Sequence, residues 1–401
     1  MKCMREFLKR HSFVIGLFLF SFFLRLLVVL CIHTDIVSDF GLMYKASLEL
    51  VSGTRDYLNN VYFLTWAYQM GHVVYQALLL SIIESVTFLK IVNALVTSLI
   101  VVFVYLLGRE VGGEKGSRIA SVLYAIFPFP LFLNTVLTNQ HLPMLLILIA
   151  IYLGFRLNEK KLQIPLCIGI GLLLSLSNIL RTETIVIIGA IVVLGGYLVF
   201  QKDSFRFIAI RLGILLLTYF LSFQLASFCL VQTGISPNGL QNGNPTWKFV
   251  EGFNYDTDGM YSKEDSSLYA TNPILSKQVL KERLREVEKM PLLFLKKIYI
   301  QWFRSDLSWT FNIGEYPMLF SISNFINQMV IVLFHGLALS SLLFFKRKNY
   351  LQILLTIIIV FYIGTYLLIE IMPRYAYSVQ ILEAILASVT ISNLFQKKLK
   401  D

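Results

Sequence analysis

The chain has 401 residues, 56% of them hydrophobic and 15% charged, with a mean hydropathy of +0.69, which excludes a soluble globular domain. The net charge of +11 does not mark a nucleic-acid binder, because the cations form no single basic face and fall in short clusters between apolar runs. Runs long enough to span a bilayer recur from end to end without the alternation of a membrane barrel, so the chain is expected to be an all-α polytopic membrane protein surrounded by membrane lipids.

In chain order, residues 13–32 read as a retained first span, since the apolar stretch is long for a signal peptide and lacks a small-residue cleavage site. A first external loop, 33–89, begins "HTDIVSDFGLMYKASLELVSG". There Phe40, Met43, Ser47 or Leu48, and Val51 recur at helical spacing, predicting an interfacial helix with Asp39 at its start and Ser38 as a candidate cap. The stretch "HVVYQALLLSII", 72–83, is too short to cross, and a crossing would move every later basic loop to the other side. It is expected to lie in the outer interface or to dip in and return.

Spans follow at 90–107, 119–136, 141–156, 164–180, 184–200 and 208–231. A second external loop, 232–320, precedes spans at 321–345, 350–370 and 375–394, for about ten in all. This topology places six basic clusters in the cytoplasm together with both termini. They are Lys2, Arg5, Lys9 and Arg10; Arg109, Lys115 and Arg118; Arg156, Lys160 and Lys161; Lys202 and Arg206; Lys346, Arg347 and Lys348; and Lys397, Lys398 and Lys400.

In the second loop, "TGISPNGLQNGNPTW" is turn-rich, and Thr271 or Asn272 is expected to cap a helix entered through Pro273. After Pro291, "LLFLKKIYIQWFRSDLSW" suits a helix at the outer membrane surface. Without repeats or linkers, residues 1–401 read as one integral domain with external elaborations. The four cysteines, Cys3, Cys31, Cys167 and Cys229, have no paired spacing and read as packing residues.

Asp35 and Asp39 have two readings: solvated residues favoured by a helix N-terminus, or carboxylates placed to remove a proton from an acceptor hydroxyl at the membrane surface. Arg181 and Arg374 stand at external span ends, where they snorkel to lipid headgroups or pair with a substrate phosphate. Arg25 lies inside the first span and so needs a partner, either a donor phosphate or a residue such as Glu370. Asp256 and Asp258 resemble part of a calcium loop, but the downstream spacing fails and a turn is expected. His33, His72 and His141 lack ligand spacing, so no metal site and no cofactor is predicted; a divalent cation has no support in the sequence. Trp66, Tyr68, Trp302 and Trp309 read as interface anchors.

The segment "SDFGLMYKASLELVSG" resembles the first external loop of the GT-C superfamily of integral-membrane glycosyltransferases, whose relatives include protein O-mannosyltransferases and lipid A aminoarabinose transferases. Asp39 matches the Asp that opens the family's loop helix, and Phe40 replaces a second acidic residue common there. Residues 89–155 resemble the next three spans, "NILRTETIVII" the external Arg-x-Glu turn with Arg181 and Glu183, "WKFVEGFNYDTDGMYSKED" a bacterial external segment, and "IEIMPRYAYSVQ" the Glu-x-x-x-Arg-Tyr start of the last span.

The resemblance implies an inverting hexosyl- or pentosyltransferase with an external active site. A polyprenyl-phosphate-sugar donor and an envelope glycopolymer, lipid or protein acceptor would be its partners, with partner proteins supplying the lipid-linked sugar. It implies Asp39 as the catalytic base and Asp35 as an auxiliary acid. Arg374, Tyr375, Arg181 and Arg25 would hold the donor phosphate. Asn139, Gln140 and His141, in place of the acidic turn of many members, would contact the sugar or acceptor with Glu183 and Glu370. The competing readings are a lipid-linked sugar flippase, and an envelope polymerase or ligase using a diphosphate-linked oligosaccharide.

Overall fold

The computed structural model describes residues 2–157, 162–201, 205–345 and 349–397. Of the basic clusters, Lys160, Lys161, Lys202, Lys346, Arg347, Lys348, Lys398 and Lys400 lie outside the described residues, as do the side chains of Lys2, Arg5, Lys9, Arg10 and Lys397. The described residues form helices and loops, with two isolated bridges and no strand, as the all-α expectation required.

After α1 (Lys2–Cys31) the first loop forms α2 (Ser38–Ser52), α3 (Val61–Thr65) and α4 (Met70–Leu80). Helix α2 fulfils the periodicity and ends at Gly53, whose φ of 81° suits a residue without Cβ. Ser38 does not cap it. The first helical hydrogen bond runs from Gly41 N–H to the Val37 carbonyl, so extended Val37 holds the cap position and Ser38, at φ 56°, is already inside. Helix α4, 11 residues long, packs on α2, where Ser47 Oγ donates to the Val73 carbonyl at 3.1 Å.

The bundle continues with α5 (Val86–Gly112), α6 (Glu114–Ala125), α7 (Pro128–Phe132), α8 (His141–Phe155), α9 (Ile164–Leu180), α10 (Thr184–Phe200) and α11 (Phe205–Gln232). The second loop carries α12 (Trp247–Gly252), α13 (Lys263–Tyr269), α14 (Pro273–Arg283) and α15 (Met290–Ile298), and the chain closes with α16 (Pro317–Ser341), α17 (Tyr350–Leu368) and α18 (Tyr377–Lys397). Asn272 caps α14, accepting from Leu275 N–H at 3.1 Å. Helix α15 turns Leu292 and Leu295 outward beside Lys296, and Tyr299 just after it is also exposed, the pattern of a helix at the membrane surface.

Among the described residues six helices are long and apolar enough to cross a membrane, seven if α6 and α7 count as one bent by 53°. Helices α8, α9 and α10 are apolar and shorter. The expected span 119–136 is therefore not one straight helix. Pro128 lacks an N–H and its ring drives Phe127 to an extended ψ of 121°, which breaks the ladder. Asn327 Oδ1 then accepts from Phe129 N–H, one of the amides freed by the break, at 2.9 Å.

Lipid supplies little hydrophobic drive between helices, so close approach of small residues takes over. Along α5 and α6, Gly108, Gly112 and Gly116 meet Ser388 and Ser392 of α18; a Cβ at Gly116 would stand 2.1 Å from the Ser388 carbonyl oxygen. Ser388 Oγ donates to the Gly108 carbonyl and Gly116 N–H to Ser392 Oγ across this seam.

Hydrogen bonds between helix ends define two faces. On one, Thr34 after α1 bonds Thr135 and the Thr310 carbonyl, Lys90 at the start of α5 bonds the Thr34 carbonyl, and Gln140 before α8 bonds the Arg374 carbonyl. On the other, Arg156 after α8 bonds Glu110 and Asn349 bonds the Val111 carbonyl. The two long loops cover the first face and clasp each other through Gly243 N–H to the Thr65 carbonyl (2.8 Å) and Tyr57 Oη to the Ile235 carbonyl (3.1 Å). The described basic residues Arg109, Lys115, Arg118, Arg156 and Arg206 belong to helix ends of the opposite face.

Candidate active site

Asp39 stands in the first turn of α2, where unbonded amides and the helix dipole favour a carboxylate. It is half-buried, and among the described residues its side chain accepts no hydrogen bond and pairs with no cation. Its neighbour Phe40 is buried and supplies the link to the other end of the chain.

That link is Arg374, on the short turn Pro373–Ala376 between α17 and α18. Its guanidinium carbon lies 5.0 Å from the Phe40 ring centroid, 4.5 Å from Trp309 and 5.6 Å from Tyr375. One loop thus contributes Phe40 and the other Trp309 to cover the same cation. Arg374 is only 6% exposed, and its buried Nη1 has no hydrogen-bond partner. Gln140 Nε2 steadies the turn by donating to the Arg374 carbonyl at 3.1 Å.

Arg181 is the contrast. Its Nε donates to Glu183 at 2.5 Å and its Nη1 to Asn139 Oδ1 at 2.6 Å, while its guanidinium lies 5.6 Å from the Tyr375 ring. The second Glu183 oxygen accepts from Tyr362 and Ser378, and Asn139 donates to Gln69 at 2.9 Å. Burial opposes the charge on Arg181, and Glu183 outweighs it and raises the pKa.

Beside Tyr375 a third cation, Lys248 of α12, is ion-paired with buried Glu370, whose N–H also donates to the Lys248 carbonyl at 2.8 Å. Burial opposes ionisation of Glu370, yet Lys248 holds its carboxyl below its ordinary value. Fully buried Glu251 sits against this pair and accepts from Ser262 N–H at 3.3 Å. Burial first and the Glu370 charge second push Glu251 up to about 10, so it is a neutral acid at ordinary pH.

The structure thus gathers Asp39, Arg374, Tyr375, Arg181, Asn139, Gln140, Glu183 and Glu370 at one face; direct contacts link all but Glu370, which joins through Lys248, and Asp39, which joins through Phe40. Asp35 is exposed and meets His33 Nε2 at 3.2 Å. His141 is buried, 2.9 Å from Tyr377 Oη and 3.3 Å from the Leu133 carbonyl. Arg25 is fully buried and donates to Ser21 Oγ at 2.7 Å and to the Ala125 carbonyl at 3.1 Å. The pairing with Glu370 considered for it is not made, because Glu370 is held by Lys248. Asp256 and Asp258 lie in a turn with Asp258 at φ 53°, and Asp258 pairs with Lys296 at 2.8 Å. Among the described residues no three His, Cys, Asp or Glu side chains converge.

Sequence reasoning overlooked Lys248 and Glu251, which the structure places against Glu370. The signal for Lys248 was present, a lone cation in the aromatic stretch "TWKFVEGF".

Residues 72–227 match the model of the family described as dolichyl-phosphate-mannose-protein mannosyltransferase. The fold is similar to that of the archaeal oligosaccharyltransferase AglB from Archaeoglobus fulgidus, solved in complex with an inhibitory peptide and a dolichol-phosphate. That similarity has a TM-score of 0.59 at 14% identity, covering 97% of this chain and 51% of AglB, so the chain spans about half of AglB's length. No curated protein matches the chain. The family match and the shared fold bear out the resemblance of this multi-pass membrane chain to the GT-C superfamily of integral-membrane glycosyltransferases.

Proposed function

We propose that the chain transfers a sugar from a polyprenyl-phosphate-linked donor to a hydroxyl of a cell-envelope acceptor, a polysaccharide, teichoic-acid-like polymer, lipid or protein, at the external face of the membrane. The observation that carries this reading is a carboxylate, Asp39, and a buried guanidinium, Arg374, neither with an ionic partner among the described residues, the guanidinium lying against Phe40, the residue next to Asp39. Asp39 takes the acceptor's hydroxyl proton, and the acceptor oxygen attacks the anomeric carbon. The carbon–oxygen bond to phosphate breaks, its electron pair leaves with the phosphate, and Arg374 offsets the charge there. A single displacement of this kind inverts the anomeric centre.

Charge matching supports a donor with one phosphate. Arg181 is bound to Glu183 and Lys248 to Glu370, which leaves Arg374 as the cation of this cluster without a carboxylate. One guanidinium balances the single negative charge of a phosphodiester, whereas a diphosphate brings a second. The oligosaccharyltransferase of similar fold was solved with a dolichol-phosphate, a lipid carrying one phosphate, which supports the same reading; the alternative is a diphosphate-linked oligosaccharide. The external location rests on the described members of the basic clusters, Arg109, Lys115, Arg118, Arg156 and Arg206, lying at helix ends of the face opposite Asp39.

Binding of polyprenyl monophosphate and polyprenyl diphosphate to the purified chain in nanodiscs separates the two. The proposal expects the monophosphate to bind more tightly and to lose affinity in Arg374→Met; tighter diphosphate binding that ignores Arg374 would contradict it.

A further inference from the structure

In "NVYFLTWAYQM" two polar side-chain atoms are buried without a partner among the described residues, Tyr62 Oη and Trp66 Nε1, and the charges of Asp39 and Lys248 both act on Tyr62. Tyr62 is 9% exposed and its ring centroid lies 5.0 Å from that of Trp66. The backbone pins both. Asn60 caps α3 by accepting from Tyr62 N–H at 2.9 Å, and Gly243 of the second loop donates to the Thr65 carbonyl. A Cβ at Gly243 would stand 3.0 Å from the Leu64 oxygen and 3.1 Å from that of Thr65, so this approach needs glycine. Trp66 also packs against the cluster containing Trp247, the residue before Lys248.

Two buried donors left unbonded are destabilising, and hydroxyl groups of a bound ligand remove that cost. Burial first and the Asp39 charge second raise the Tyr62 pKa well above its ordinary value, so the phenol keeps its proton to donate. Aromatic rings beside hydrogen-bond donors and carboxylates suit a carbohydrate ring. The charges here select against ionised rings. Lys248 is neutralised by Glu370, Arg374 is committed to the phosphate, and Asp39 must stay free: an ammonium would pair with it, and a carboxylate would meet its repulsion with no unpaired cation to hold it.

We propose that Tyr62, Trp66 and Lys248 form a subsite holding a neutral carbohydrate ring by its hydroxyls beside Asp39. The ring belongs to the donor or to the acceptor, and the subsite rests on the glycosyl-transfer reading above.

The test uses the purified chain in liposomes with polyprenyl phosphate linked to a neutral hexose, to the matching amino hexose or to the matching uronic acid, and an envelope fraction as acceptor. Polyprenyl phosphate release is followed while donor and acceptor are varied separately, for wild type and Tyr62→Phe. If the ring is the donor's, the neutral donor is expected to turn over at least about tenfold faster than the charged ones. Tyr62→Phe, with an unchanged unfolding temperature, is expected to raise one KM about tenfold: the donor's if the ring is the donor's, the acceptor's otherwise. Should Tyr62→Phe unfold, Trp66→Phe keeps an aromatic ring, loses the N–H and is read the same way. Both KM values unchanged overturns the subsite, and a raised donor KM with equal turnover of the charged donors overturns its preference for a neutral ring; either leaves the transfer reading standing. No release from any donor overturns both.

Discussion

Arg374 and Phe40 are in contact, with the guanidinium carbon 5.0 Å from the ring centroid, although more than three hundred residues separate them in the chain. The contact holds the cation against the residue next to Asp39. Arg374→Met is therefore expected to weaken polyprenyl phosphate binding by about tenfold to a hundredfold, the range for a lost charge-assisted hydrogen bond. Arg374→Lys restores part of it, because a lysine keeps the charge and loses the planar fork that lies against Trp309 and Phe40. Equilibrium binding with the three proteins measures the order.

Glu251 makes stability depend on pH. Unfolded, its carboxyl ionises near 4.5; folded, it keeps its proton up to about 10. The folded state binds the extra proton throughout that interval, so stability falls as pH rises from about 4.5 to about 10. Lys297, pushed down to about 7 by burial against an ordinary 10.5, works in the opposite direction from about 7 to 10.5. Glu251→Gln removes only the first contribution. Its unfolding temperature is expected to match wild type near pH 4.5 and to exceed it increasingly toward pH 9, as thermal melts in detergent would show.

The seam between α5, α6 and α18 has no room for side chains. Gly116→Val is expected to destabilise by about 1–3 kcal/mol, because the new Cβ meets the Ser388 backbone and no flexible side chain can yield. Gly213→Ala, in α11 with nothing within 4 Å of the new atom, is expected to be neutral or to stabilise by up to about 1 kcal/mol. Thermal unfolding of the two variants side by side checks the contrast.

The parts of the site that were legible in the sequence are those with a local signature. Helix α2 declared itself by period and placed Asp39 at its start, and Arg181 and Arg374 stood out as cations at the ends of apolar runs. The ion pair of Lys248 with Glu370 joins residues 122 apart and leaves no local trace, so Glu370 was identified without its partner. Ser38 satisfied the composition of a cap, and the chain path decided otherwise by starting the helical ladder at Val37. The break at Phe127 was hidden because hydropathy averages over Pro128, which a bent span tolerates once Asn327 satisfies a freed amide.

The central claim is that Asp39 deprotonates the acceptor while Arg374 holds the donor phosphate. The most direct measurement is polyprenyl phosphate release from a polyprenyl-phosphate hexose in liposomes with an envelope acceptor, comparing wild type with Asp39→Asn, alongside polyprenyl phosphate binding by both. The account predicts release reduced by at least about a hundredfold with binding retained, the loss expected for a general base. Equal release from the two proteins would contradict it.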